Sequence, residues 1–135
     1  MSRQNVEIVR RMMESWVGGA PETALRYMAA DVEYDVTVRP DGKVWHGHEG
    51  VSRAVIEWVG AWSEWSFEVE RYLDVDDDRV AFLWQERGTA KGSGVPMSLK
   101  GISVVTLRDG VVVSMVAHVD RDGVLADLGL DNASH

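Results

Sequence analysis

The chain predicts an α+β fold, with helices in its first half and antiparallel strands in its second. Three observations carry this. Val6, Val9, Met13, Trp16 and Val17 recur at helical spacing, while Glu7, Arg10, Arg11 and Glu14 take the other faces. Val32, Tyr34, Val36 and Val38 alternate with Glu33, Asp35 and Thr37, the period of a strand with one buried face. Between Phe67 and Val119, four β-rich runs are separated by polar or glycine-rich turns.

Taken in order, the first amphipathic helix runs from Gln4 to Val17 and stops at Gly18-Gly19. Pro21 and Glu22 open a short second helix through Met28, the proline at an early helical position and the acid near the positive end of the dipole. The alternating strand spans Val32 to Val38, and Pro40-Asp41-Gly42 turns the chain. Gly47-His48-Glu49-Gly50 leads into a third helix to about Trp62, carrying Val51, Ala54, Val55, Trp58 and Val59. Strands follow at Phe67 to Val75, Val80 to Thr89, Met97 to Leu107 and Val111 to Val119. Their connections are Asp76-Asp77-Asp78, Lys91 to Pro96 and a tight Arg108-Asp109-Gly110 hairpin turn. A closing helix is expected from Arg121 to about Leu128.

At 135 residues and 45% hydrophobic content, the expectation is one domain with one core. The net charge of −8 offers no basic footprint for nucleic acid or anionic membranes. The absence of cysteine excludes disulfides, thiol nucleophiles and thiolate metal sites. The polar start Met-Ser-Arg-Gln-Asn-Val-Glu and the absence of any membrane-length apolar run lead to the expectation of a cytoplasmic protein. Six tryptophans, at 16, 45, 58, 62, 65 and 84, either fill the core or line an apolar ligand cavity.

The stretch Gly88 to Gly129, with its Gly-Thr-Ala-Lys-Gly-Ser-Gly-Val-Pro connection and Arg-Asp-Gly hairpin, resembles the last hairpin of the SnoaL-like polyketide cyclases. These belong to the NTF2-like, cystatin-like superfamily, which also holds ketosteroid isomerases and limonene epoxide hydrolases. The element order ααβαββββ with a short C-terminal helix fits that superfamily over nearly the whole chain. The resemblance implies a cone in which a curved antiparallel sheet wraps around three N-terminal helices, enclosing a small-molecule pocket. It also implies a homodimer through the outer sheet face, on which Val104, Val112 and Val116 are expected.

Aligned by pattern, the isomerase catalytic positions fall near Met12, Val36 and Ser103, which lack the carboxylate and tyrosine that such chemistry needs. Arg87 matches the epoxide hydrolase arginine, but Thr89 and Ala117 stand where its acids would be. The SnoaL-like aspartate matches Asp120, while the family's neighbouring histidine and tryptophan fall near Met115 and Val116. The resemblance therefore implies Asp120 as acid/base. As a residue immediately before a helix, Asp120 also suits an N-cap. His118, two residues earlier, shares its strand face and can form a proton relay with it, or simply pack. Either Glu86 or Arg87 faces the pocket. An inward Arg87 requires an anionic partner in the protein or on the substrate.

Candidate pocket walls are Trp16, Tyr34, Trp62, Trp84, Ser103 and Met115, each equally able to serve as core packing. His46, His48 and Glu49 give too few local ligands for a metal site, and the glycines at 88, 92 and 94 open no helix and so make a poor phosphate cradle. No metal and no cofactor are expected. The leading functional expectation is a cofactor-independent enzyme of SnoaL-like type, doing cyclase- or isomerase-like proton transfer on a hydrophobic, oxygenated, polyketide-like molecule. A non-catalytic small-molecule-binding protein and a dimeric accessory protein are the alternatives.

Overall fold

The computed structural model describes residues 2–130. Helices α1 (Ser2–Val17) and α2 (Pro21–Leu25) precede strands β1 (Met28–Asp35) and β2 (Val44–His46). Helix α3 (Gly47–Gly60) is followed by β3 (Trp62–Asp74), β4 (Arg79–Ala90), β5 (Pro96–Arg108), β6 (Val111–His118) and α4 (Arg121–Asp127). No helix among the described residues is long and apolar enough to cross a membrane.

The α+β architecture agrees with the sequence pattern, and the differences have local causes. The first strand begins at Met28, where α2 was expected to continue, because buried Met28 pairs with Val112 of β6. It ends at Asp35 rather than Val38. The Asp35 carboxylate accepts hydrogen bonds from the Thr37 backbone N–H at 3.0 Å and the Thr37 hydroxyl at 2.7 Å, a local turn that takes the chain off the ladder. Strand β2, absent from the expected order, has only three residues, too few for periodicity to register. Strand β3 starts five residues before Phe67, at Trp62.

The six strands form one sheet in the order β2-β1-β6-β5-β4-β3. All pairings are antiparallel except β1 with β6, which is parallel. Two irregularities bend β3 against β4. Ser63 pairs with Thr89 and Ser66 with Arg87, so Glu64 and Trp65 together face Gly88. Further along, Glu70 is extra between the pairs of Val69 and Arg71. Glu64 has φ of 52° at this bulge; Trp65 keeps the parity of Phe67 and faces the concave side, while Trp62, paired with Ala90, is brought to that same side. The β5–β6 hairpin closes at Asp109 and Gly110, both with positive φ (53° and 77°), the geometry that matches strand twist in a two-residue turn.

The principal core lies between the concave face and the helices, with Val9, Met12 and Met13 of α1 against Val32, Phe82, Trp84, Val105, Val112 and Met115. On the convex face, α4 lays Leu125 over Leu73, Ala81, Leu83 and Ile102. Val112 was expected on that outer face and is instead buried in the principal core. Thr106 pairs with Ser114 but Leu107 with Val112, so Val113 is an extra residue that inverts the alternation toward the start of β6.

Gly101 sits opposite Trp84 in the β4–β5 ladder. A Cβ there would lie 2.4 Å from the Trp84 ring and 2.2 Å from the His118 carbonyl oxygen, so the missing side chain lets the indole cross β5. Gly101→Val is expected to lower unfolding free energy by about 1–3 kcal/mol through overpacking, as read by urea denaturation; an unchanged midpoint would refute this account of the crossing.

Candidate functional site

Helices α1 and α3 and the concave sheet face enclose a cavity of about 40 Å³. Its apolar wall is Met13 and Trp16 of α1, Trp58 and Val59 of α3, and Trp65, Phe67, Phe82, Trp84, Met115 and Ala117 of the sheet. Its polar groups are Tyr34, Arg39 and Ser103. The side chains arrive there by strand parity: Phe82 and Trp84 alternate inward on β4, Ser103 on β5, and Met115 and Ala117 on β6. Arg39 is delivered by the turn between β1 and β2, in which the Arg39 N–H donates to the Val36 carbonyl at 3.0 Å and Gly42 N–H to that of Arg39 at 2.8 Å.

Behind the wall lies Glu86, which is 0% exposed. Its Oε1 accepts from Arg39 Nη2 at 3.3 Å, and its Oε2 accepts from the indole N–H of Trp65 at 2.7 Å and from that of Trp58. The Arg39 guanidinium also lies 4.4 Å from the Trp58 ring centroid. A buried carboxylate is tolerable only with such compensation, and three donors from three separate segments supply it. Arg39 Nη1 reaches the Tyr34 hydroxyl oxygen at 3.5 Å, while its buried Nε has no hydrogen-bond partner among the described residues. Burial pushes the Tyr34 phenol up from its ordinary value and the Glu86 charge adds to this, with Arg39 opposing. The phenol therefore keeps its proton at neutral pH. The Ser103 hydroxyl accepts from Trp84 Nε1 at 3.0 Å, which leaves its own proton to offer.

The polar equipment of the cavity is thus a set of donors: guanidinium N–H, phenol O–H and serine O–H. Such a set recognises an oxygen acceptor and favours one that gains negative charge. No carboxylate or imidazole is among the lining residues.

Of the residues singled out in sequence, Trp16, Tyr34, Trp84, Ser103 and Met115 meet at this cavity. The structure places Trp62 outside the lining, packed over Gly88 and edge-on to Trp58 at 5.3 Å. Arg87 is exposed and Glu86 turns inward, which settles the facing of that pair. His118 is half-buried opposite Ile102, at the parity opposite to Met115 and Ala117. Asp120 is exposed and caps α4, accepting from the Gly123 N–H at 3.0 Å. Neither lines the cavity. His48 holds its Nε2 3.0 Å from the Met28 carbonyl oxygen, an acceptor that fixes the proton on that nitrogen, while His46 is exposed.

Sequence reasoning did not name Met13, Arg39, Trp58, Val59, Trp65, Phe67 or Phe82 as lining residues. For Glu86 a signal was present, because residues 82, 84 and 86 share a strand face and Trp84 had already been read as inward. Nothing in the turn Arg-Pro-Asp-Gly marks its arginine as buried.

Residues 9–115 match the SnoaL-like domain, and the chain belongs to that family. Among solved structures it is similar to an NTF2-like protein of unknown function from Burkholderia pseudomallei, at 22% identity over 91% of this chain and 95% of that one, with a TM-score of 0.73. It is similar to TerC, co-crystallised with polyporic acid, at 19% identity over 93% and 97% of the two chains, with a TM-score of 0.73. A third similar structure is a protein with a ketosteroid isomerase-like fold from Catenulispora acidiphila in complex with trimethylamine, at 22% identity over 93% and 94%, with a TM-score of 0.70. No curated protein matches the chain.

Two outcomes follow from the buried pair. Arg39→Ala strands the Glu86 charge and is expected to cost about 3 kcal/mol or more, whereas Arg39→Met with Glu86→Gln recovers most of that loss; equal denaturation midpoints for the single and double variants would refute the pairing. For Tyr34 the folded phenol lies above the ordinary value of 10.0. Its contribution to stability is complete below pH 10 and is lost as pH rises from 10 through the folded value. The tyrosinate absorbance of wild type minus Tyr34→Phe is expected to have its midpoint above 10, and a midpoint at or below 10 would contradict the burial.

Proposed function

We propose that this SnoaL-like protein is a cofactor-independent enzyme acting on a hydrophobic, oxygenated small molecule by proton transfer next to a carbonyl, the chemistry common to cyclase and isomerase reactions. The observation that carries the reading is the convergence of Arg39, Tyr34 and Ser103 on one small cavity walled by aromatic side chains. In this reading the substrate carbonyl oxygen accepts hydrogen bonds from the three donors. The adjacent C–H bond breaks, its electron pair moves to the carbonyl, and the resulting enolate is held by the same donors in a site of low dielectric. The proton acceptor in this reading is Glu86 Oε1, the carboxylate oxygen engaged by Arg39 alone; Glu86 does not border the cavity, so the step requires Arg39 to move off Oε1 toward the substrate oxygen as the substrate enters. Asp120, which the family resemblance suggested for this role, serves as the helix cap.

A second reading, binding without turnover, is favoured by one observation: Glu86 stands behind the lining residues rather than among them. TerC and the Catenulispora protein, which share the fold, were each crystallised with a small organic molecule, in support of a ligand role under either reading.

Deuterium exchange next to the carbonyl of butanone in D₂O, followed by NMR alongside tryptophan fluorescence titration, separates the readings. The expected result is exchange accelerated by wild type, slowed about 100-fold in Tyr34→Phe, and abolished in Glu86→Gln, whose unpaired Arg39 also lowers the denaturation midpoint. Binding with no accelerated exchange in wild type would favour the carrier, and no binding at all would sink both.

A further inference from the structure

The cavity by itself is too small for the substrate it is proposed to act on. Its volume is about 40 Å³, whereas pockets that enclose small organic ligands begin at about 300 Å³. The rest of the ligand needs a place continuous with the donor site. Among the described residues, two of the grooves that share lining side chains with the cavity are large enough to hold a substituent. One, of about 250 Å³, runs between α2, α3 and the start of β3; it shares Trp16, Val59 and Trp65 with the cavity and continues over Pro21, Val55 and Ile56. No charged side chain lines it. The other, of about 470 Å³, shares Met13 and Phe67 but is bordered by Arg10, Glu14 and Glu68.

The chemistry of the linings decides between them. An apolar substituent gains free energy in proportion to the apolar surface it removes from water, and loses that gain where it desolvates charged groups. Ile56, 69% exposed on α3, is a large apolar side chain left uncovered in the charge-free groove. Trp16, Val59 and Trp65 form the partition between this groove and the donors.

We infer that the substrate is bipartite: a compact carbonyl head sits against Arg39, Tyr34 and Ser103, and an apolar tail passes the Trp16, Val59 and Trp65 partition to lie on Val55 and Ile56. The inference rests on the reading of the cavity as a ligand site, and it adds a tail subsite and an amphipathic substrate class. It does not depend on turnover.

The test is a fluorescence titration of the whole chain with 2-alkanones from butanone to 2-dodecanone, with butanone as the head-sized reference. In wild type, affinity is expected to rise with each added methylene, by about fourfold where the methylene is fully buried. Ile56→Glu, at a solvent-facing helical position, is expected to halve that increment or reduce it further. Val111→Glu, an exposed position at the β5–β6 hairpin that lines neither the cavity nor this groove, leaves it unchanged. A chain-length increment near onefold in wild type, with butanone still bound, would overturn the tail subsite and leave the cavity reading intact. An undiminished increment in Ile56→Glu would also overturn it, by placing the tail elsewhere. If no alkanone binds, both readings fall together.

Discussion

The structure turns on a carboxylate with no access to water. Glu86 sits at the middle of β4, and its three hydrogen-bond donors come from the β1–β2 turn, from α3 and from β3. Because a buried charge without partners costs several kcal/mol, these segments are coupled: moving any one strips a donor from the others' shared acceptor. The aromatic wall is therefore set by hydrogen bonding as much as by packing. Trp58 and Trp65 present their N–H edges to Glu86 and line the cavity with the rest of their rings. Arg39 bridges the carboxylate and the Tyr34 hydroxyl, with its charge over the Trp58 face.

Irregular backbone makes this arrangement possible. Trp65 points inward in step with Phe67, and the two-against-one pairing at Gly88 resets the alternation before it, so that Trp62, paired with Ala90, falls on the same side. Gly101 performs the complementary service on β5, leaving room for the Trp84 ring to reach Ser103. The bent sheet then becomes concave toward α1, and its convex side is covered in part by α4 through Leu125.

The helices and long strands were legible in the sequence because each carries a periodic apolar pattern: Val9, Met13 and Trp16 on α1, and Phe82 and Trp84 on β4. The site was legible where it lies on regular structure, as for Tyr34, Trp84, Ser103 and Met115. It was hidden where the backbone departs from its period. The extra Val113 inverts the alternation from which facing is deduced, which is why Val112 was expected outside, and Trp65 was passed over because it lies before Phe67, where the strand was expected to begin. Arg39 was hidden for a different reason. A polar turn predicts exposure, and only the distant carboxylate of Glu86, 47 positions later, reverses that preference.

The pairing of Arg39 with Glu86 also shapes what the cavity selects. The guanidinium charge is already matched, so the site offers N–H and O–H donors without net charge. A carboxylate ligand would give up its hydration for a neutralised arginine, an exchange that buried charges seldom repay. A ketone loses little hydration and finds its acceptor satisfied. In the proposed reaction that oxygen becomes an enolate held by the same three donors, with the surrounding tryptophans keeping water from screening them. On that reading, the balance that penalises anions in the ground state is the one that favours charge developing on the same oxygen.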